Sequence, residues 1–366
     1  KGNAGKVTVA ADSLTITNEG YISSDSHNDG DAGSVEVTAN SLKLDSKGEI
    51  SSDASLNFEL HGTKGNGGSV IVNAQELGLD DGSISSETFG EGNAGSVVVS
   101  ADTIKLSNNG SITSLTLAEG KGKGGDVILN ANMLEINDGF ISSKTMSRGN
   151  AGNVEVTADI LIMSNDGEIS SGSGNSRDKT AIGNGGIVSV NAEHLDISNS
   201  FIIGETYGTG NAGQVNINVD SLQLHDNGFI SSSTFGSGHA GDIIVAANVL
   251  TAHGTDNTLI DLSSKNLTGV FSGAGTDSGG QVGNITVSVK NDIHLNNGAQ
   301  ISIKNDAIVA ESKLNSLSPT AINIDTANMF LTNSRIAADS NGNVDAGSIR
   351  IHFADQLFLD PSQITT

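Results

Sequence analysis

A chain of 366 residues with 42 Asp and Glu against 18 Lys and Arg carries a formal charge of −24. That excludes the basic footprint that nucleic acid requires and argues against electrostatic adsorption to anionic lipid. No cysteine is present to form disulfides, aromatic residues make up 3% of the chain, and no apolar run is long enough to span a bilayer.

The elements repeat from the first residues onward. Gly2-Asn3-Ala4-Gly5 opens a unit, and variants of it follow as Gly30-Asp31-Ala32-Gly33, Gly65-Asn66-Gly67-Gly68 and Gly92-Asn93-Ala94-Gly95. Further copies begin at Gly122, Gly149, Gly183, Gly210 and Gly238, with weaker ones at Gly283, Ala321 and Asp345. Within each unit three short strand patterns are predicted. In the unit at 92–114, Val97 and Val99 alternate with polar or outward residues, Ala101-Asp102 makes a corner, and Ile104 and Leu106 form a second apolar pair. Asn108-Asn109-Gly110 is a turn, because Asn and Gly accept positive φ, and Ile112 begins the third pattern.

The same places are apolar in the neighbouring units: Val70/Val72, Leu77/Leu79 and Ile84 before it, Val127/Leu129, Leu134/Ile136 and Ile141 after it. One unit cannot bury these side chains; stacked units can, at roughly 4.8 Å per strand layer. The fold class expected is all-β, a right-handed parallel β-helix: a three-sided β-solenoid of about twelve coils, roughly 55–60 Å long at that spacing. Residues 1–366 are read as one continuous solenoid, with regular coils over 1–248, irregular coils with long insertions over 249–345 and a terminal partial coil over 346–366. Lys1 falls at a repeat boundary and Thr366 follows a third-strand pattern, so the expectation is an interior piece of a longer chain or a unit that stacks end to end.

Surplus residues are predicted between the third strand and the next glycine corner, at 53–64, 115–121 and 172–182, and in larger insertions at 255–281 and 305–318. A common insertion point projects loops from one edge of the cylinder. Phe271, between Gly269 and Gly273, is read as exposed on a contact loop. Tyr21, Phe140, Phe201 and Phe229 share the outward place before the third-strand Ile, and Phe89, Tyr207 and Phe235 share one just beyond that strand. These rows either stack within the solenoid or form a lateral surface for glycan or another copy of the chain.

Polar rows are mostly read as structure. Asp12, Asn40, Asp102, Asn132, Asp159, Asp220 and Asn248 mark the first corner, where Asx side chains satisfy turns. Paired serines such as Ser85/Ser86 and Ser142/Ser143 lack a placed base and are read as packing and hydrogen-bonding rows. No catalytic, cofactor or metal site is expected, with one place where Ca²⁺ has a rationale. Asp45 and Asp80 are one coil apart, and stacked carboxylates repel unless one is protonated or a cation bridges them. His225 and His253 also share a place one coil apart, which is too few ligands to specify a metal.

Units such as Gly149-Asn150-Ala151-Gly152-Asn153-Val154-Glu155-Val156-Thr157-Ala158 resemble the repeats of filamentous-haemagglutinin-type exoproteins over nearly the whole chain, weakening between Leu250 and Val344. The resemblance implies the β-helical shaft of a large secreted bacterial adhesin, of the kind often exported by two-partner secretion. The Asn-Pro-Asn motif of that family's secretion domain does not occur in this sequence. The function expected is therefore an extracellular structural or adhesive shaft on the bacterial cell surface, mediating attachment to a cell surface or matrix through a receptor or glycan. The alternative is a self-assembling extracellular filament or sheath subunit. A polysaccharide-acting β-helix enzyme ranks third, because such enzymes need convergent carboxylates and basic or aromatic subsites, and this chain has no Trp and four Arg.

Overall fold

The computed structural model describes residues 2–27, 29–54, 64–117, 121–146, 148–174, 181–255, 267–276, 278–314 and 317–366. The strands run β1 (Lys6–Ile16), β2 (Tyr21–Ser23), β3 (Ser34–Asp45), β4 (Glu49–Ser51), β5 (Val70–Asp80), β6 (Ser83–Thr88), β7 (Val97–Ser107) and β8 (Ser111–Thr116). They continue as β9 (Val127–Asn137), β10 (Phe140–Thr145), β11 (Val154–Ser164), β12 (Glu168–Ser173), β13 (Val188–Ser198), β14 (Phe201–Thr206), β15 (Val215–His225) and β16 (Phe229–Thr234). The last are β17 (Ile243–His253), β18 (Gly269–Ala274), β19 (Ile285–Asn296), β20 (Gln300–Asn305), β21 (Ala321–Thr332), β22 (Arg335–Ser340), β23 (Ser348–Asp360) and β24 (Gln363–Thr365), with the short helix α1 (Glu311–Leu314) before β21.

Every odd-numbered strand pairs in parallel with the next odd one, and every even-numbered strand with the next even one, giving two sheets of twelve strands each. Equivalent residues lie side by side: Val97 pairs with Val127, and Ile84 with Ile112. The apolar residues of both sheets merge into one cluster, in which Val35, Leu44 and Ile50 are fully buried together with their counterparts in later coils except the last, where Leu359 is 44% exposed. This is a twelve-coil parallel β-solenoid.

The coil differs from the expectation in one respect. The first and second strand patterns form a single hydrogen-bonded strand, so each coil has two strands and not three. The corner survives as a change of phase within the long strand. In β3, Val35, Val37 and Ala39 point inward, Asn40 and Ser41 are both exposed, and Leu42 and Leu44 point inward again. Pairing of β1 with β3 skips Asp12 and Asn40 at that bend. Three inward-facing rows thus arise from two sheets, because two consecutive outward residues turn the strand without breaking its ladder.

The serine rows clasp one coil to the next. The Ser86 hydroxyl donates to the Gly68 carbonyl at 2.7 Å and accepts the Gly95 amide at 3.0 Å, joining the start of its own coil to the start of the following one. Ser114, Ser143, Ser171 and Ser232 repeat both bonds. Corner glycines such as Gly68 are required by this closeness and not by φ: a Cβ on Gly68 would overlap the carbonyl oxygen of Gly33 in the coil before. The adjoining Asn row, met in the sequence only as part of the repeat marker, is also a ladder. Asn66 Oδ1 accepts the Asn93 amide at 2.9 Å, and Asn93 Oδ1 accepts that of Lys123 at 2.9 Å. At the second corner the Asx residues do adopt positive φ, as at Asn108 (50°) and Asn109 (66°).

The insertions at 53–64 and 172–182 lie in large part outside the described residues, and so do residues 118–120 of the one at 115–121. The late insertion is placed differently from expectation. β18 supplies the third-strand row with Val270 in the core, so the surplus falls between β17 and β18, ahead of the third strand. Val270 and Ile301, unassigned in the sequence reading, take the place of Ile230 in their own coils.

Candidate functional site

The outer face of the short-strand sheet brings aromatic rings and charged side chains together. In β14 the side chain of Ile202 enters the core, so its neighbours Phe201 and Ile203 face outward, followed by Glu205. Phe201 pairs with Phe229, and their rings stack with centroids 5.4 Å apart. Tyr207 and Phe235, just beyond these strands, stack at 4.8 Å.

Phe271 corrects the sequence reading. It lies in β18, not on a loop, and it is 1% exposed. It takes the place of Ser231 one coil on, and its ring stands at 70° to that of Phe229 with centroids 6.3 Å apart. Of the other contact candidates, Phe201 and Phe229 come together with it. Phe140 sits between Ser111 and Glu168, and Tyr21, 71% exposed, pairs with Glu49 near the first coil. Neither reaches the aromatic cluster.

The three phenylalanines line a groove of about 950 Å³ with Phe235 and Leu267, and Glu205, Asp166, Lys304 and Asp306 contribute charge. Lys304 and Asp306 form an ion pair at 3.3 Å. A smaller cavity of about 390 Å³ shares Phe201, Phe229 and Glu205 and adds Lys144, Glu168 and Tyr207. There the Lys144 ammonium holds Glu168 at 2.5 Å, while the Tyr207 hydroxyl donates to Glu205 at 3.1 Å. Burial pushes the Glu205 carboxyl up to about 7; the Tyr207 hydrogen bond opposes the rise, the Glu168 charge adds to it and Lys144 opposes it. Burial first, and then Glu205, raise the Tyr207 phenol.

A second carboxyl row occupies the same sheet face at the other end. The Asp25 carboxylate accepts the Asp53 amide at 2.9 Å, and Asp53 accepts the Glu87 amide at 2.7 Å. Burial and the Glu87 charge push Asp53 up to about 8, against the Glu87 backbone bond, with Asp25 and Glu49 adding to the rise. Burial and Glu49 push Glu87 up to about 7.

Asp45 and Asp80 do lie side by side, but each already has a hydrogen-bond donor of its own, and that of Asp45 is a cation. Lys43 donates to Asp45 at 2.7 Å and Asn108 to Asp80 at 2.6 Å. Hydrogen bonds from Lys43 and then Ser46 hold Asp45 below the usual carboxylate range. His225 pairs with His253, yet its ring nitrogens are taken by Asp226 at 2.7 Å and Asp196 at 2.8 Å. Burial works against the charged His225 ring, but the two aspartates outweigh it and its pKa is raised. Among the described residues no group of three or more His, Asp or Glu is placed to hold a metal ion, and no helix is long and apolar enough to cross a membrane.

Glu205, Lys304 and Asp306 were not singled out in the sequence. The signal for Glu205 is its place in the repeat: Glu87, Lys144 and Glu205 all precede the last Thr of their short strands, in Ser-Glu-Thr, Ser-Lys-Thr and Gly-Glu-Thr. Comparison of the chain with protein-family models, with curated proteins and with solved structures finds no match.

Proposed function

We propose that this protein is a stiff structural shaft of adhesive type, carried outside a bacterial cell as part of a surface protein of the filamentous-haemagglutinin kind. The observation that supports this reading is the unbroken pairing of both sheets from the first coil to the twelfth. The corner chemistry serves that continuity: the serine clasp and the Asn ladder both bind one coil to the next. A rod built this way resists bending because each layer is fixed to its neighbours by ladders on every side. Attachment to a cell or matrix surface then falls to side chains on the outer faces, the aromatic groove among them.

Small-angle scattering should give a rod of roughly 55–60 Å for twelve layers, and beads coated with the protein should be retained on cell or matrix surfaces above beads coated with albumin. A compact particle would defeat the shaft, and retention no better than the control would defeat the adhesive role. Ordered polymers in electron micrographs would move the assignment to the filament subunit, and cleavage of acidic polysaccharide would move it to the enzyme.

A further inference from the structure

The groove over β14, β16 and β18 is the place where an aromatic wall meets a carboxylate. Phe201 and Phe229 stack into a half-buried wall, and the buried Phe271, at 70° to Phe229, backs it. Glu205 faces the same groove from four residues along β14, roughly 13 Å at the rise of a strand. Among the described residues its one hydrogen bond comes from Tyr207. Ring faces carry the negative part of the aromatic quadrupole and attract cations. A half-buried carboxylate gains from a positive charge that replaces lost water, whereas an anion or a wholly apolar molecule leaves it uncompensated. The protein's own charge of −24 favours approach of a cation. The volume of about 950 Å³ suits a small ligand.

We propose that this groove is a binding site for organic cations with an apolar body, the body packed against the stacked Phe201 and Phe229 rings and the ammonium or guanidinium group beside Glu205. This goes beyond a shaft function and does not depend on it. The other charged and titratable groups that face Glu205 or line the groove are Lys144 and Glu168 on the neighbouring coils, Tyr207 beside it, and Asp166 and the Lys304–Asp306 pair at the rim.

The probes are 4-phenylbutylamine and its neutral counterpart 4-phenylbutan-1-ol, whose four-carbon arm separates ring from head group. Calorimetric titration of the intact protein at pH 8 should show the amine binding about tenfold tighter than the alcohol. The preference should shrink at pH 5, where Glu205 takes up its proton. It should vanish in Glu205→Gln, while Phe229→Ala weakens both probes. Tyr207 gives a local signal: the chain has two tyrosines and no tryptophan, so in a Tyr21→Phe background its fluorescence reports occupancy. Equal affinity for amine and alcohol in the unmodified protein, or binding of neither, overturns the proposal without any variant. Retention of the amine preference in Glu205→Gln overturns the assignment of the charge partner.

Discussion

The Ser86 hydroxyl donates to the carbonyl of Gly68 at 2.7 Å across 18 residues of chain. Because the same oxygen accepts the amide of Gly95, one side chain ties the opening of its own coil to the opening of the next. Ser86→Ala removes both bonds and leaves a part-buried amide unpaired, which should cost about 1–3 kcal/mol. Urea denaturation measures the loss, and amide exchange at Gly95 should accelerate locally. A change within error at both readouts would mean that the clasp is ornamental.

Glycine is expected to matter by place. Gly68→Ala puts a methyl group into the carbonyl of Gly33, so the coils must separate locally, at a cost of roughly 3 kcal/mol or more. Gly78 lies within β5 with open space around it, so Gly78→Ala should stabilise by roughly 0.5–1 kcal/mol. Thermal melting of the two variants beside the parent compares them directly, and similar behaviour of the two would refute the close-approach argument.

The stacked core predicts an asymmetry between faces. Leu106 is 1% exposed and sits between Leu79 and Ile136 in adjacent coils. Leu106→Ala should therefore cost about 2–5 kcal/mol. Ile71, on the outer side of the same sheet and 38% exposed, should tolerate Ile71→Ser with a far smaller change. Equal losses in denaturation midpoint would show that the inward rows do not carry the stability.

Asp53 and Glu87 set the sign of the pH dependence. Both carboxyls titrate higher in the folded protein than in the unfolded chain, Asp53 at about 8 and Glu87 at about 7. The unfolded chain therefore gives up these protons first, and stability falls as pH rises from the ordinary carboxylate range through about 7–8. His225, raised by its aspartates, acts in the same direction: what it contributes is present below its ordinary value and lost as pH passes its folded one. Asp53→Asn should be more stable than the parent at pH 8 and no more stable at pH 4, since the amide oxygen still accepts the Glu87 amide. A pH-independent difference between the two melting curves would show that Asp53 titrates in the folded protein as it does in the unfolded chain.

The apolar repeat determined which residues stack. Once each coil lies on the one before, a place in the repeat is a place in space, and that is why Val97 and Val127, or His225 and His253, are neighbours. The same logic located the Asx corner, while leaving its hydrogen bonding open. Three features were decided only by the tertiary structure. Whether the first corner breaks the strand depends on whether neighbouring coils keep their ladder through it, and they do. Whether Phe271 is exposed depends on where a 40-residue spacing between Phe229 and Gly269 re-enters the sheet, which an irregular insertion hides from any periodic reading. Whether Glu205 meets an aromatic wall depends on outward side chains from coils far apart in sequence, and no pattern within one unit specifies what the next coils place beside it.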